Sequence, residues 1–450
     1  MNRRSAGSRL APLPLALALL AAAAPALATR SPDAASALAW NARILELAVA
    51  EDGLLTLRGV RTAALAHLAM HDALQAIDPR YATYACARSE PGADPLAAAT
   101  AAAHAIVASQ FPGHAEALGG ERDRWLATLP DGEAKALGVE LGRACAEELV
   151  ARRADDGWDT EAGYQFHPMG PGVYAEFAEH SGTPQGFVFG TGWARAKPLL
   201  LERADQLRVP PPPAIGTEAY RRAFDEVKEV GRTVSATRTA DQTHLAFWWK
   251  EFVESSVNRF ARELVAEEGL DLWDATRLLA LVNAAIYDGY VSVFENKFHY
   301  NHWRPYTAIR WAAHDGDPAT EPEPEWDNAH RHTYAFPTYP SAHRTVCAAA
   351  FGVLAHRFGD EREFTMTNPE VDSAGPFSPK MKTDPPTRSF ASFSEAALEC
   401  GLSRVYLGIH FRYDSVEGVR LGHRIADLAW EGFLRPLEAP QTAELGTSGR

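Results

Sequence analysis

Apolar residues recur at helical spacing along residues 38–78. Ala63, Leu65, Ala66, Leu68, Ala69, Ala73, Leu74 and Ile77 form a stripe that predicts the second of two helices there. Residues 94–154 are alanine-rich and read as helical too. The pattern then changes. Gly, Pro and aromatic residues dominate 155–217, and the prolines at 210–213 form a stiff segment, which predicts a long ordered connection. Helices resume near Glu218, and 241–268 reads as two more. Asp274 is placed to cap a helix that runs through Leu278, Leu281, Val282, Ala285 and Ile286 to about Asn296. A short helix over 304–313 follows, then a Pro-rich acidic loop over 314–339. A helix over 341–358 is stopped by Gly359, and 361–388 reads as a loop. The last helices cover 392–408 and 414–434. No strand-like alternation and no repeat period is visible. The fold expected is all-α, with an N-terminal helical region and its connection over 29–217, a C-terminal helical bundle over 218–440 and a disordered tail over 441–450.

Charge narrows the function classes. The formal net charge is −14, from 58 acidic and 44 basic residues, which argues against a general nucleic-acid or anionic-membrane binder. Any local cluster of Lys, Arg and His therefore stands out against an acidic chain. The N-terminus reads as an export signal over 1–28. Arg3, Arg4 and Arg9 precede an apolar stretch from Leu10, and Ala26-Leu27-Ala28 resembles a cleavage site. Pro12, Pro14 and Pro25 disfavour a retained spanning helix. The expectation is a periplasmic or extracellular protein with no integral membrane segment in its mature form. Four cysteines, Cys86, Cys145, Cys347 and Cys400, show no C-x-x-C spacing. Cys347 and Cys400 could bridge or remain two buried thiols.

Three patterns in the C-terminal half carry chemistry. The first is Lys297 followed, seven residues on, by Arg304-Pro305. The second is Pro340-Ser341-Ala342-His343. The third is Ser403-Arg404, then His410, then Asp414 four residues later. Ser341 can cap the helix it precedes, whose first turn offers unpaired N–H groups and a positive dipole end, an anion site. Each guanidinium of Arg304 and Arg404 can grip two oxygens, and Lys297 adds a point charge. Asp414 can fix the tautomer of His410 so that its other nitrogen is free to attack. His343 can act as general acid or base.

These patterns resemble the signature motifs of the superfamily that joins type 2 phosphatidic acid phosphatases, bacterial acid phosphatases and vanadium-dependent haloperoxidases. The first and third motifs match at every fixed position, and in the second Ala342 replaces the usual Gly. Arg238-Thr239-Ala240-Asp241-Gln242-Thr243, Asn301-His302-Trp303-Arg304-Pro305, Gly408-Ile409-His410-Phe411-Arg412 and Ala69-Met70-His71-Asp72-Ala73 look like bacterial haloperoxidase-type members. The resemblance implies that His410 bonds to vanadium, or to phosphorus in a phosphatase. It implies that Lys297, Arg304 and Arg404 neutralise equatorial oxygens, that Ser341 and the Ala342 amide bind another, that His343 works on the apical oxygen and that Asp414 orients His410. A site complementary to a five-coordinate phosphoryl transition state also holds vanadate, which adopts that geometry stably. The implied activity is oxidation of halide by hydrogen peroxide to a hypohalous-acid equivalent, with vanadate as cofactor and a small organic acceptor. The alternative is an exported acid phosphatase acting on a phosphoester through His410, and a third reading is an oxyanion-binding protein without catalysis. A homo-oligomer is compatible with all three.

Phe336 stands where haloperoxidase relatives place a residue of the halide site, and it resembles the chloroperoxidase pattern. Phe294 stands where fungal chloroperoxidases carry Trp. Arg344 adds an anion contact or faces solvent. His67, His71 and Asp72 read as helix-packing residues rather than metal ligands, and His299, His302, His314, His330 and His332 as surface residues. Asp288 is open between a carboxylate supporting the site and a helix-packing residue.

Overall fold

The computed structural model describes residues 32–52, 57–175 and 178–437. The expected signal peptide and C-terminal tail lie outside the described residues. Helices α1 (Ala35–Asp52), α2 (Leu57–Gln75), α3 (Pro95–Gln110), α4 (Ala115–Leu126) and α5 (Glu133–Arg152) form the N-terminal part. Among its described residues the connection that follows holds only the single turn α6 (Ala178–Ser181) and a 3-10 turn at Trp193–Arg195. Then come α7 (Glu218–Val230), α8 (Ala240–Trp248), α9 (Val253–Glu267), α10 (Leu272–Tyr300), α11 (Pro305–Trp311), α12 (Ala342–Phe358), α13 (Phe393–Tyr406) and α14 (Arg412–Gly432). The all-α expectation holds.

Helix α10 organises the molecule. It packs on α2 from the N-terminal part and on α12 and α14 from the C-terminal part. One apolar core, running from Trp40 through Leu281 to Phe351 and Ile425, joins these layers. Among the described residues α10 alone is long and apolar enough to cross a membrane, but it is almost entirely buried inside the protein. Its cap corrects the sequence reading. Asp271, not Asp274, is the N-cap and accepts from the Asp274 amide at 3.0 Å. Asp274 sits in the first turn and accepts from the Tyr81 hydroxyl at 2.6 Å. The helix also runs a turn beyond Asn296, to a left-handed Asn301.

The segment expected as a loop over 361–388 instead contains two small antiparallel sheets. β1 (Phe364–Thr367) pairs with β4 (Thr387–Phe390), and β2 (Glu370–Asp372) pairs with β3 (Lys380–Lys382). Strands of three or four residues are too short for alternation to register. Burial of Met366 and Val371 against the fold decides them.

Buried polar groups are absorbed by packing. His67 meets the Asn41 amide at 3.0 Å, and Asp72 accepts from the amides of Tyr84, Ala85 and Cys86, so neither is a metal ligand set. Asp288 accepts from the amides of Leu199, Leu200 and Leu201 at 2.6, 2.8 and 2.8 Å. Its carboxylate therefore pins the connection to α10. Arg238 donates to the carbonyls of Val230 and Arg232 and holds the chain between α7 and α8. All four cysteines are bridged, Cys86 to Cys145 and Cys347 to Cys400.

His299 and His314 are exposed, as expected. His302 and His330 are buried and His332 is half-buried, which corrects the surface reading. The loop after α11 folds inward to reach the bundle and carries His330 and His332 with it. His302 is bound to the Tyr413 hydroxyl at 2.9 Å.

Candidate active site

Five helices and one loop meet at one place. Helix α10 ends with Lys297 in its last turn, and Arg304 caps α11. The loop over 334–341 runs between them, and Ser341 caps α12, its hydroxyl facing the Arg344 amide. Arg404 lies in the last turn of α13, and Asp414 lies in the first turn of α14. Each charged side chain thus comes from a helix end.

The contacts are specific. Lys297 Nζ donates to the carbonyls of Pro337 and Thr338 at 3.0 and 2.7 Å. Arg304 Nε donates to the Phe336 carbonyl at 2.9 Å, and its Nη1 donates to the Ile409 carbonyl at 3.0 Å and lies 3.3 Å from His410 Nε2. Arg404 Nη2 donates to the Trp249 carbonyl and to His343 Nε2, the latter at 2.6 Å. His410 Nδ1 is 2.8 Å from Asp414 Oδ2 and 2.9 Å from Thr338 Oγ1, and the Thr338 hydroxyl donates to Asp414 Oδ2 at 2.6 Å. With Nδ1 held by a carboxylate, Nε2 of His410 is the unprotonated nitrogen, and it accepts from Arg304 Nη1.

A cavity of about 40 Å³ opens between these groups. Ala342, His343, Arg404 and His410 line it, with Phe336 and Phe294. Ala342 opens α12 and does not have a positive φ, so its Cβ costs the backbone nothing and the first-turn amides keep their direction. Phe336 is wedged between cations, its ring centre 5.2 Å from Lys297 Nζ and 4.7 Å from the Arg304 guanidinium.

Burial sets the charge states. It pushes His410 well below the ordinary imidazole range, and Arg304, Lys297 and Arg404 push further. His343 is likewise held neutral by burial and then by Arg404. Burial lowers Lys297 too, and brings Arg304 and Arg404 down to about 10. Burial raises Asp414, against the pull of Thr338, Lys297 and Arg304.

Lys297, Arg304 and Arg404 are buried near a single carboxylate, Asp414, an arrangement that is costly without an added anion. Arg304 Nη2 and Arg404 Nε are buried with no hydrogen-bond partner in the protein. Two guanidinium donors, an ammonium, a helix N-terminus and a neutral imidazole Nε2 suit a small oxyanion such as vanadate or phosphate. The residues present therefore fit the group that the motifs imply.

Of the eight residues assigned to the site from sequence, Ala342, His343, Arg404 and His410 line the cavity, as does Phe336, and Arg304 and Asp414 stand behind it in contact with His410; Lys297 and Ser341 do not line it. Arg344 does neither of the things expected of it. It is buried and packs over Gly401, where an added Cβ would come within 1.9 Å of its Cδ. Sequence reasoning missed Thr338, Tyr290, Tyr334, Phe189, Trp193 and Phe252. Thr338, two residues before Pro340, was within reach of the motif. Phe189 and Trp193 come from the connection, whose aromatic content was the only signal. Trp193 packs on Phe294 at 4.8 Å, so an indole reaches the cavity wall although position 294 is Phe. Gly190 allows this approach, with φ +73° and room for no Cβ beside the Phe294 ring. Cys347 and Cys400 have their sulfurs within 4.8 Å of a His343 ring nitrogen, but they are bonded to each other and are not thiolate ligands.

Residues 277–439 match the family of VCPO second helical-bundle domains. The vanadium chloroperoxidase of Curvularia inaequalis is 28% identical over 177 aligned residues, which cover 32% of this chain and 28% of that protein. The chain thus spans under a third of this curated relative. Its fold is similar to that of a bacterial vanadium-dependent iodoperoxidase, with a TM-score of 0.73 and 21% identity over 92% of this chain and 99% of the other. It is also similar to a bacterial vanadium-dependent chloroperoxidase in its holo form, with a TM-score of 0.64 and 18% identity over 84% and 92%. The C-terminal bundle thus matches the VCPO second helical-bundle domains, and the fold over most of the chain is similar to that of bacterial vanadium-dependent haloperoxidases.

Proposed function

We propose that this protein is a vanadate-dependent haloperoxidase that oxidises halide with hydrogen peroxide. The observation that carries the reading is the gathering of Lys297, Arg304 and Arg404 around His410, which with Arg404 lines one small cavity in an acidic protein. His410 Nε2 would hold the metal, and Lys297, Arg304, Arg404, Ser341 and the Ala342 amide would hold its oxygens. Vanadate bound there would supply the activation of peroxide toward attack by halide.

The chain supplies the rest. Asp414 and Thr338 fix the ring of His410 and keep its proton on Nδ1. His343, neutral and half-buried at the cavity wall, takes up and returns protons at Nε2 once Arg404 turns to the anion. Phe336, stacked against Lys297 and Arg304, provides an apolar edge beside positive charge, which suits a weakly hydrated halide. Export from the cell is part of the proposal, and the two disulfides support an oxidising compartment.

A paired assay on the purified protein tests the reading. Bromination of a phenolic dye by peroxide and bromide is followed with and without orthovanadate, beside p-nitrophenyl phosphate hydrolysis. Vanadate-dependent bromination is expected, with vanadate suppressing any hydrolysis. Hydrolysis without bromination would transfer the same residues to phosphoryl transfer.

A further inference from the structure

Helix α10 brings more than Lys297 to the site. Tyr290, Phe294 and Lys297 recur at spacings of four and three and so share one face of the helix. Tyr290 and Phe294 line the small cavity beside His343, Arg404 and His410. An outer cavity of about 620 Å³ shares Phe189, Phe252, Tyr334 and Phe336 with the small one and has Phe377 in its wall. Tyr290 lines the inner cavity and not the outer one, which groups its phenol with the anion-binding side chains.

Behind Tyr290 stands a buried carboxyl. Glu254, in the first turn of α9, is 3% exposed, and its Oε2 accepts from the Tyr290 hydroxyl at 2.9 Å. Its Oε1 is buried with no hydrogen-bond partner. The charge that bears on it is Glu251, of like sign. Burial raises its pKa to about 7, against the pull of its own amide and of the Tyr290 hydroxyl. Below that pH the carboxyl keeps its proton. A phenol and a protonated carboxyl then hold two protons and share one contact. If Tyr290 donates to Oε2, the carboxyl proton is stranded on the unpartnered Oε1. If Glu254 donates to the phenol oxygen, the phenol proton is released toward the cavity, where an oxygen could accept it.

We propose that Tyr290 is a further residue of the oxyanion site, its hydroxyl donating to an oxygen of the bound anion while protonated Glu254 donates to the phenol oxygen from behind. Glu254 is then a positioning residue, acting through Tyr290. The proposal rests on the oxyanion site of the haloperoxidase reading and is independent of the halide step. The donor is neutral, so it adds a hydrogen bond without a fourth positive charge beside Lys297, Arg304 and Arg404. Ionisation of Glu254 reverses the arrangement: the carboxylate recaptures the phenol proton in a hydrogen bond, and the anion loses a donor. Besides Glu251, the groups facing the pair are Tyr334, from the loop before α12, and Arg404, from α13. Burial raises Tyr334 and leaves Arg404 at about 10, so neither changes charge near neutral pH.

The test is isothermal titration of the full protein with orthovanadate, in the absence of peroxide and halide. It is run at about pH 6 and about pH 8.5, either side of the Glu254 midpoint. Each variant is compared with the parent at the same pH, which cancels the ionisation of orthovanadate itself. Tyr290→Phe keeps the ring and removes the donor. It should weaken binding about tenfold at the lower pH, as for a hydrogen bond to a charged group, and less than about twofold at the higher. Glu254→Gln supplies an amide N–H to the phenol oxygen at every pH, so at the higher pH it should bind orthovanadate several-fold more tightly than the parent. Unweakened binding by Tyr290→Phe at the lower pH would overturn the proposal. An equal loss at both pH values would also overturn it, because the phenol would then act through packing. Parent-like binding by Glu254→Gln at the higher pH would remove Glu254 from the arrangement. A parent protein that takes up no orthovanadate would overturn the oxyanion site itself, and this donor with it.

Discussion

Arg404 Nη2 stands 2.6 Å from His343 Nε2, a guanidinium donating to the imidazole that lines the cavity. The two come from α13 and α12 and are tied further by the disulfide between Cys347 and Cys400 on the same helices. Arg404 thus has two employments, a neutral His343 or an oxyanion, and His343 is free to exchange protons only when the anion takes Arg404 away. Arg404→Lys, which keeps one charge and loses the fork, should weaken orthovanadate binding by about 10-fold or more, in line with about 1.5–3 kcal/mol for a hydrogen bond to a charged group. Isothermal titration with orthovanadate checks it, and unchanged affinity would remove Arg404 from the anion site.

His410→Ala should abolish turnover while leaving the far-ultraviolet circular dichroism intact, because the ring lines a cavity rather than filling a core. Retained bromination or hydrolysis would show that His410 is not the residue that bonds the anion.

Asp414→Asn preserves shape but changes what His410 Nδ1 can donate to. Loss of kcat by a factor on the order of 10²–10⁴ is expected, by comparison with other histidine-orienting carboxylates. Thr338→Val, which removes the hydroxyl between the two, should give a smaller loss in the same direction. Steady-state kinetics of the two variants should rank them in that order.

Glu254 carries a stability signature. It is fully buried, it accepts from the Tyr290 hydroxyl at 2.9 Å, and burial raises its pKa from 4.5 to about 7. The folded state therefore holds its proton more tightly than the unfolded state. The contribution is complete below about pH 4.5 and is lost as pH rises through 7, with a size of roughly 2–4 kcal/mol. His67, pushed down to about 3 by burial, acts with the opposite slope below pH 6.5. Comparing Glu254→Gln with the parent by denaturant unfolding from pH 5 to 8 isolates the first term. The variant should lose less stability across that window, and parallel curves would refute it.

The Cys347–Cys400 bridge closes a segment with a sequence separation of 53. Replacing both residues by Ser should cost about 4 kcal/mol by the chain-entropy relation, and should lower activity as well, because the bridge lies against His343. Thermal unfolding and bromination rates measured on one preparation separate the two effects.

The sequence alone determined the helical plan and the charged half of the site. The apolar stripes of α2 and α14 are local and periodic, and the capping Ser341 and terminal Gly359 mark the ends of α12. Lys297, Arg304, Ser341, His343, Arg404, His410 and Asp414 could be picked out because each sits at a fixed spacing beside a helix end, where chemistry and local structure coincide. Tertiary structure decided the rest. Phe189 and Trp193 reach the cavity only because the connection is pinned to Asp288, a contact between residues nearly ninety positions apart. His330 and His332 turned inward because the loop that bears them must also deliver Phe336 and Thr338. The β-strands between α12 and α13 exist through burial of Met366 and Val371, and their turn places Phe377 at the outer cavity. Such walls are built from packing between distant segments, and packing leaves no periodic trace in the chain.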